Sequence, residues 1–249
     1  MNPRGTAAAL PALAILVAAL AALAAASAAG ALPATVVPSP AAVARAFAVL
    51  FADGDIVVPF ATTVGLATAS TALAAAFGLP LGLLLARRAS LGRAYEAWLG
   101  AAFAAPVALL YPLFLVVTGR SLRTVVVMAA LAAAIPIVIK TREAFAGVPR
   151  VFTDVASSFR LNARTRFALV ELPAAVPVLF DGLRLGLIYA LVNVIGVEYL
   201  VDLGGLGRVV SDRYAVYDIP ETYAAIVLVL IASFALLYAL DRLQRAVHE

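Results

Sequence analysis

Asp181, Arg184, Asn193 and Glu198 stand inside an otherwise apolar run at about 176–200. If that run crosses a bilayer, a charge facing lipid at its centre costs about 2.5–3.5 kcal/mol on insertion scales, so these groups must face protein or water. Asp181 and Arg184 are three residues apart on one helical face, and can either pair near the inner surface or serve passage of a solute. Asn193 and Glu198 point to a pathway or gate. Other chemistry is closed to the chain. Its one histidine is His248 and it has no cysteine, which excludes zinc hydrolase sets, thiolate metal sites and histidine-based triads. There is no G-x-x-x-x-G-K-[ST] loop, so any ATP hydrolysis belongs to another subunit. A membrane enzyme would need convergent titratable groups, and none are set out.

A second polar stretch runs from Val151 to Pro173, between two long apolar segments. Lys140, Arg142, Arg150, Arg160, Arg164 and Arg166 lie in or beside it, and positive charge between apolar runs is retained on the cytoplasmic side. The spacing predicts two short helices: Phe152, Val155, Ala156 and Phe159 form one stripe, and Ala163, Phe167 and Val170 another. Asn162 can cap the second helix, and Leu172-Pro173 should stop it. The alternative is a solvated loop, but ordinary connections between helices are much shorter than this one. The stretch is therefore a face shown to a cytoplasmic partner.

These groups need a membrane scaffold to position them, and composition supplies one. Of the 249 residues, 65% are hydrophobic and 13% charged, where soluble domains run nearer 45–50% and 25%; the mean hydropathy is +1.06. The chain is expected to be an all-α integral membrane bundle of five to six spans. The net charge of +4 is no nucleic-acid signal, because the basic residues concentrate in loops on one side. An Ala/Leu-rich run at 7–29 makes a retained first span or, with Ala26-Ser27-Ala28 as cleavage site, a signal peptide. Ala41 to Phe51 is amphipathic and should lie at the outer surface, and Asp53-Gly54-Asp55 reads as a turn. Further spans are expected at about 58–85, 95–118 (kinked by Pro106 and Pro112), 124–140, 176–200 and 222–240, with a polar tail from Asp241 to Glu249. Gly204-Gly205-Leu206-Gly207 predicts a tight turn and a short re-entrant or surface helix on the outer side. With both termini inside, twelve of the eighteen basic residues fall in cytoplasmic segments.

The polar stretch resembles the cytoplasmic loop of the membrane subunits of type I ABC importers, whose pattern is E-A-A, three residues, G and, after a spacer, L-P. Aligned on Leu172-Pro173, Asp154, Val155 and Ala156 take the E-A-A positions, Ser158-Phe159 the small-then-apolar pair, and Arg160 the glycine. Pro38-Ser39-Pro40, Gly78-Leu79-Pro80-Leu81-Gly82, the proline-bearing third span, Pro173 to Pro177, Gly182-Leu183-Arg184 and the L-G-x-L-G segment match in the same order, nearest the nitrate, sulfonate and taurine branch. The chain departs from the pattern at Asp for Glu, Val for Ala, and Arg where glycine would allow a positive φ.

The resemblance implies a single permease domain over 1–249, with an N-terminal span at 1–30, a core fold over 56–245 and a coupling loop over 141–173. Asp154, Val155, Ala156, Ser158, Phe159, Arg160, Asn162 and Arg164 would dock on an ABC ATPase subunit, with an apolar centre of Val155, Ala156 and Phe159. ATP and Mg would be held by that partner and no cofactor by this chain. A second permease copy, as homodimer or with a paralogue, and an extracytoplasmic solute-binding protein complete the implied assembly in a bacterial inner membrane. Its substrate would be a small solute of the sulfonate, nitrate or taurine type, or a related molecule. The rival reading is a secondary transporter or channel without an ATPase, which would keep its ion sites in interrupted helices.

Overall fold

A computed structural model describes residues 18, 19, 21, 22, 24–26, 33, 36–52, 54 and 56–248. Among them the structure is helical throughout, with no strand. Ala- and Leu-rich segments favour helix, and in hydrocarbon a helix is the form that satisfies every backbone group from within the segment. The elements are α1 (Pro40–Ala52), α2 (Val57–Arg87), α3 (Ala89–Ala104), a 3-10 turn (Val107–Leu110), α4 (Tyr111–Thr118), α5 (Leu122–Ala146), α6 (Arg150–Ser158), α7 (Ala163–Arg166), a π turn (Phe167–Glu171), α8 (Leu172–Val201), α9 (Gly205–Ala215) and α10 (Ile219–His248).

Four helical segments are long and apolar enough to cross a membrane: Val57–Arg87, Leu122–Ala146, Ala163–Val201 and Ile219–Val247. The fifth is broken, because α3 and the segment Val107–Thr118 meet at 80°. The bend falls at Ala105-Pro106, since Pro106 ends the α3 pattern. Pro112 does not kink anything; it sits in the first turn of α4, where its missing N–H costs nothing. The first apolar run, with its signal-peptide alternative, and Asp53 and Asp55 of the expected turn lie outside the described residues, although residues 18, 19, 21, 22 and 24–26 are helical and Gly54 has φ +73. The expected polar tail is a continuation of α10 through His248.

At the centre, α5 packs between α2 and α8. Lipid leaves little hydrophobic drive between helices, so close packing of small residues holds them. Ile137 of α5 shows how: a Cβ at Gly78 of α2 would stand 2.8 Å from its Cγ2, and one at Gly186 of α8 2.6 Å from its Cδ1. The Gly78 to Gly82 step of the sequence is this contact, since Gly82 faces Thr141 in the same way. Further along the same helices, Leu66, Val125, Met128, Leu191 and Val194 fill the same three-helix core. A separate cluster of Leu50, Ile56, Leu206, Leu228 and Ala232 ties α1 and α9 to α10 and the start of α2.

Pro173 does not end the second loop helix. A proline ring collides with the carbonyl four residues back. Here the π turn at Phe167–Glu171, with Leu172 N–H reaching the carbonyl of Phe167, widens the helix just before it. The chain therefore runs helically from Ala163 to Val201, 39 residues or about 58 Å at 1.5 Å per residue. A hydrocarbon core is about 30 Å thick, so one end of this helix extends out of it.

Candidate functional site

Helix α6 ends in a turn at the position where the family pattern has glycine and this chain has Arg160. Leu161 N–H donates to the Ala156 carbonyl at 3.1 Å and Arg160 N–H to the Ser157 carbonyl at 2.9 Å. Those are the two bonds of a Schellman cap, whose first residue past the helix end takes a left-handed conformation and is usually glycine. Arg160 occupies that place with φ +51. Asn162 has φ −67 and, as expected, its side chain accepts the Thr165 N–H at 2.9 Å as the N-cap of α7. Local chemistry at Asn162 was readable from sequence. Left-handed backbone costs a non-glycine residue about 1–2 kcal/mol, and glycine gives back about 0.5–1 kcal/mol in chain entropy. Arg160→Gly is therefore expected to stabilise the chain by up to about 1 kcal/mol, seen as a raised melting temperature in detergent; a clear fall would contradict this turn.

The exposed face of α6 is apolar. Val151 and Phe152 are exposed, Val155 is 52% exposed, and Phe159 at the C-cap is 76% exposed. Ala156 is 2% exposed, so of the centre expected to be Val155, Ala156 and Phe159 only Val155 and Phe159 are open to a partner. Asp154, Ser158, Arg160 and Arg164 are exposed around them, and the Ser158 hydroxyl donates to the Asp154 carbonyl.

Sequence reasoning missed the ties between this loop and the spans. Arg166 donates to Glu171 at 2.9 Å, the Arg87 guanidinium lies 3.8 Å from the same carboxylate and 5.2 Å from the centre of the Phe167 ring, and Phe145 stacks on Phe167 at 5.7 Å. The π turn is thereby joined to the C-terminal end of α2 and the end of α5. Nothing in the sequence pattern singles out Arg87 and Glu171 as partners.

In α8 the polar groups separate. Arg184 pairs with Asp241 of α10 and not with Asp181, which is exposed. Asn193 is 6% exposed; its Nδ2 donates to the Tyr189 carbonyl at 2.9 Å and its Oδ1 has no partner. Glu198 is wholly buried and accepts from Thr63 Oγ1 of α2 at 2.8 Å and from Gly207 N–H of α9 at 3.0 Å. Leu206 N–H donates to the same Thr63 hydroxyl at 2.8 Å. The carboxylate thus caps the N-terminus of α9, where unpaired N–H groups and the helix dipole favour negative charge. Gly204 and Gly205 turn the chain with φ +96 and +81, and a Cβ on Gly205 would fall on the Glu198 carboxylate. The glycine run and Glu198 are one construction. Among the described residues no His/Cys/Asp/Glu group is arranged to hold a metal.

Comparison with known proteins gives this arrangement a family. A chain of the MetNI methionine ABC transporter superposes with a TM-score of 0.69 at 22% identity, covering 78% of this chain and 96% of that one, which shows the fold. The riboflavin transport system permease protein RibX of Chloroflexus aurantiacus is 31% identical over 147 residues, 59% of this chain and 55% of its own length. The probable ABC transporter permease protein BMEII0107 of Brucella melitensis is 26% identical over 212 residues, 84% of this chain and 86% of that one. The family model described as binding-protein-dependent transport system inner membrane component matches residues 78–249. A match over that much of the chain, containing both the loop and the α8–α9 construction, makes this protein a member of the binding-protein-dependent transport system inner membrane components.

Proposed function

We propose that the chain is the translocating subunit of an ATP-driven importer, with α6 as the coupling helix that docks on a separate ATPase. One observation carries the reading: an exposed apolar stripe of Phe152, Val155 and Phe159 stands on a loop whose far end is bound by Arg87, Phe145 and Phe167 to two spans. An apolar centre with a polar rim suits a protein partner, and the ties suit transmission of its movement. ATP and Mg act on the partner. An external binding protein delivers the solute, and a second permease copy, identical or paralogous, completes the pathway beside Asn193. Glu198 acts on that pathway through α9, whose start it holds. The solute is a small molecule of the sulfonate, nitrate or taurine type, or an organic molecule such as the one named for RibX.

The test is purification of the tagged chain from its own membranes. A co-purifying ATPase whose hydrolysis drives uptake in proteoliposomes is expected; uptake without any ATPase would instead make the chain a secondary transporter. Orientation follows from the same reading, with both termini and α6 cytoplasmic and α9 outside. In intact cells an impermeant thiol reagent should label Ser211→Cys and leave Ser90→Cys and Ser157→Cys unlabelled. Labelling of either of the latter two contradicts this topology.

A further inference from the structure

A groove of about 280 Å³ opens on the surface between the C-terminal half of α2, the end of α5 and the start of α8. Leu79 and Leu83 of α2, Phe145 of α5, and Phe167, Leu172 and Leu179 line it. Its one polar lining residue, Thr141, is 1% exposed, so the groove offers hydrocarbon surface. Along α2 it begins at Leu79, and Arg87 ends that helix about 12 Å further on at 1.5 Å per residue. That length fits within one leaflet, half of a hydrocarbon core about 30 Å thick. Charge gathers at the Arg87 end. The Arg87 guanidinium lies 5.2 Å from the centre of the Phe167 ring, a wall of the groove. Arg166 and Arg87 share one carboxylate, Glu171, at 2.9 Å and 3.8 Å. Two guanidinium groups on one carboxylate leave a surplus positive charge. Arg87 is exposed and stands beyond hydrogen-bond length from Glu171, so its donors are unused among the described residues. Arg88 adds an exposed cation that has no ion-pair partner among them.

We propose that this groove binds one anionic phospholipid, with an acyl chain along Leu79, Leu83 and Leu179 and the phosphate on Arg87. Basic pockets between spans take anionic headgroups, and the arginine fork matches phosphate oxygens in pairs. The two halves of the site select together. A free anion leaves the apolar walls uncovered, and a zwitterionic lipid brings its ammonium beside Arg88 and Arg166. The bound lipid splints the π turn to α2, because Phe167 and Arg87 both touch it. The site needs the chain in a bilayer but neither an ATPase nor a transported solute, so it stands or falls apart from the permease reading.

The full chain, purified in detergent and stripped of lipid, is titrated with dioleoylphosphatidylglycerol and with dioleoylphosphatidylcholine, and the lipid retained is counted by native mass spectrometry. Saturation at one phosphatidylglycerol per chain is expected, with phosphatidylcholine weaker by roughly ten-fold. Arg87→Gln should remove most of that preference, while Glu171 keeps Arg166 as its partner. Arg87→Lys, a point charge without the fork, should retain part of it. Leu83→Trp, which fills the groove, should weaken both lipids, and it keeps the test decisive if Arg87→Gln does not fold. Arg93→Gln, at a residue that lines no part of the groove, should change neither. Equal affinity for the two lipids would overturn the proposal, as would binding unaffected by Leu83→Trp or a loss of preference in Arg93→Gln as large as in Arg87→Gln. Competition by millimolar inorganic phosphate would make this a free-anion site and overturn it. A dimer that retains no lipid would mean that a second copy covers the groove, with the same consequence.

Discussion

Gly207→Val is expected to unseat α9 and to lower the stability of the whole chain. A Cβ at Gly207 would overlap the Ile195 carbonyl oxygen, stand 2.8 Å from Glu198 Cβ and 3.0 Å from the Tyr199 backbone nitrogen. Two of those neighbours are backbone of α8, and cannot move aside as a side-chain tip could. The displacement also takes the Gly207 N–H away from Glu198, leaving the buried carboxylate with the single hydroxyl proton of Thr63. Overpacking alone costs about 1–3 kcal/mol, and losing a hydrogen bond to a charged group a further 1.5–3 kcal/mol. A loss of roughly 3 kcal/mol or more corresponds to a fall in melting temperature of roughly 6–12 °C for a chain of this size. Gly196→Val is the control, since a Cβ there meets nothing within 4 Å. Equal melting temperatures for the two variants would show that α9 is not seated on α8 in this way.

What a single sequence showed of this construction, and what it hid, divides by range. Local features were legible: the Asn162 cap, the break at Pro106, and the turn at the glycine run each depend on residues within one turn. Hydrophobic length placed α2 within two residues at each end, at Val57–Arg87 against 58–85. It understated α5, expected at 124–140 and found as Leu122–Ala146, because Lys140, Arg142 and Glu143 mark where hydrocarbon ends and not where helical hydrogen bonds end. Partnerships across the fold were hidden. The three-residue spacing of Asp181 and Arg184 suggested a pair, but Asp241 from another span lies in reach of Arg184 and takes it. Likewise, the rule against lipid-facing charge required a partner for Glu198 and left unsaid that Thr63 and the glycine run supply it. Arg160 is an intermediate case. The family pattern marked its position as one for glycine, and the left-handed φ there is the physical reason for that preference.

The burial of Ala156 also changes which substitution tests coupling. Ala156 is packed inward at 2% exposure and its carbonyl accepts the Leu161 N–H, so Ala156→Arg would disturb the loop itself and confuse folding with docking. Val155 and Phe159 are exposed, and Phe159 is the larger anchor. Truncation or reversal of a central apolar anchor at an interface costs about 2 kcal/mol or more, while rim charges change it far less. Phe159→Arg and Val155→Arg are therefore each expected to leave the melting temperature of the isolated chain unchanged, to lower ATPase association by roughly thirty-fold or more, and to abolish driven uptake. Arg164→Ala, at the rim, should weaken association modestly and mainly at low salt. Phe167→Ala separates docking from transmission, because Phe167 is only part-exposed, stacks on Phe145 and lies under Arg87, side chains that belong to the spans. It should keep the ATPase bound and hydrolysing while uptake falls. If Phe159→Arg retains normal ATPase binding and transport, α6 is not the coupling helix; if Phe167→Ala transports normally, force does not pass through the π turn, and the route from loop to spans must run elsewhere in α8.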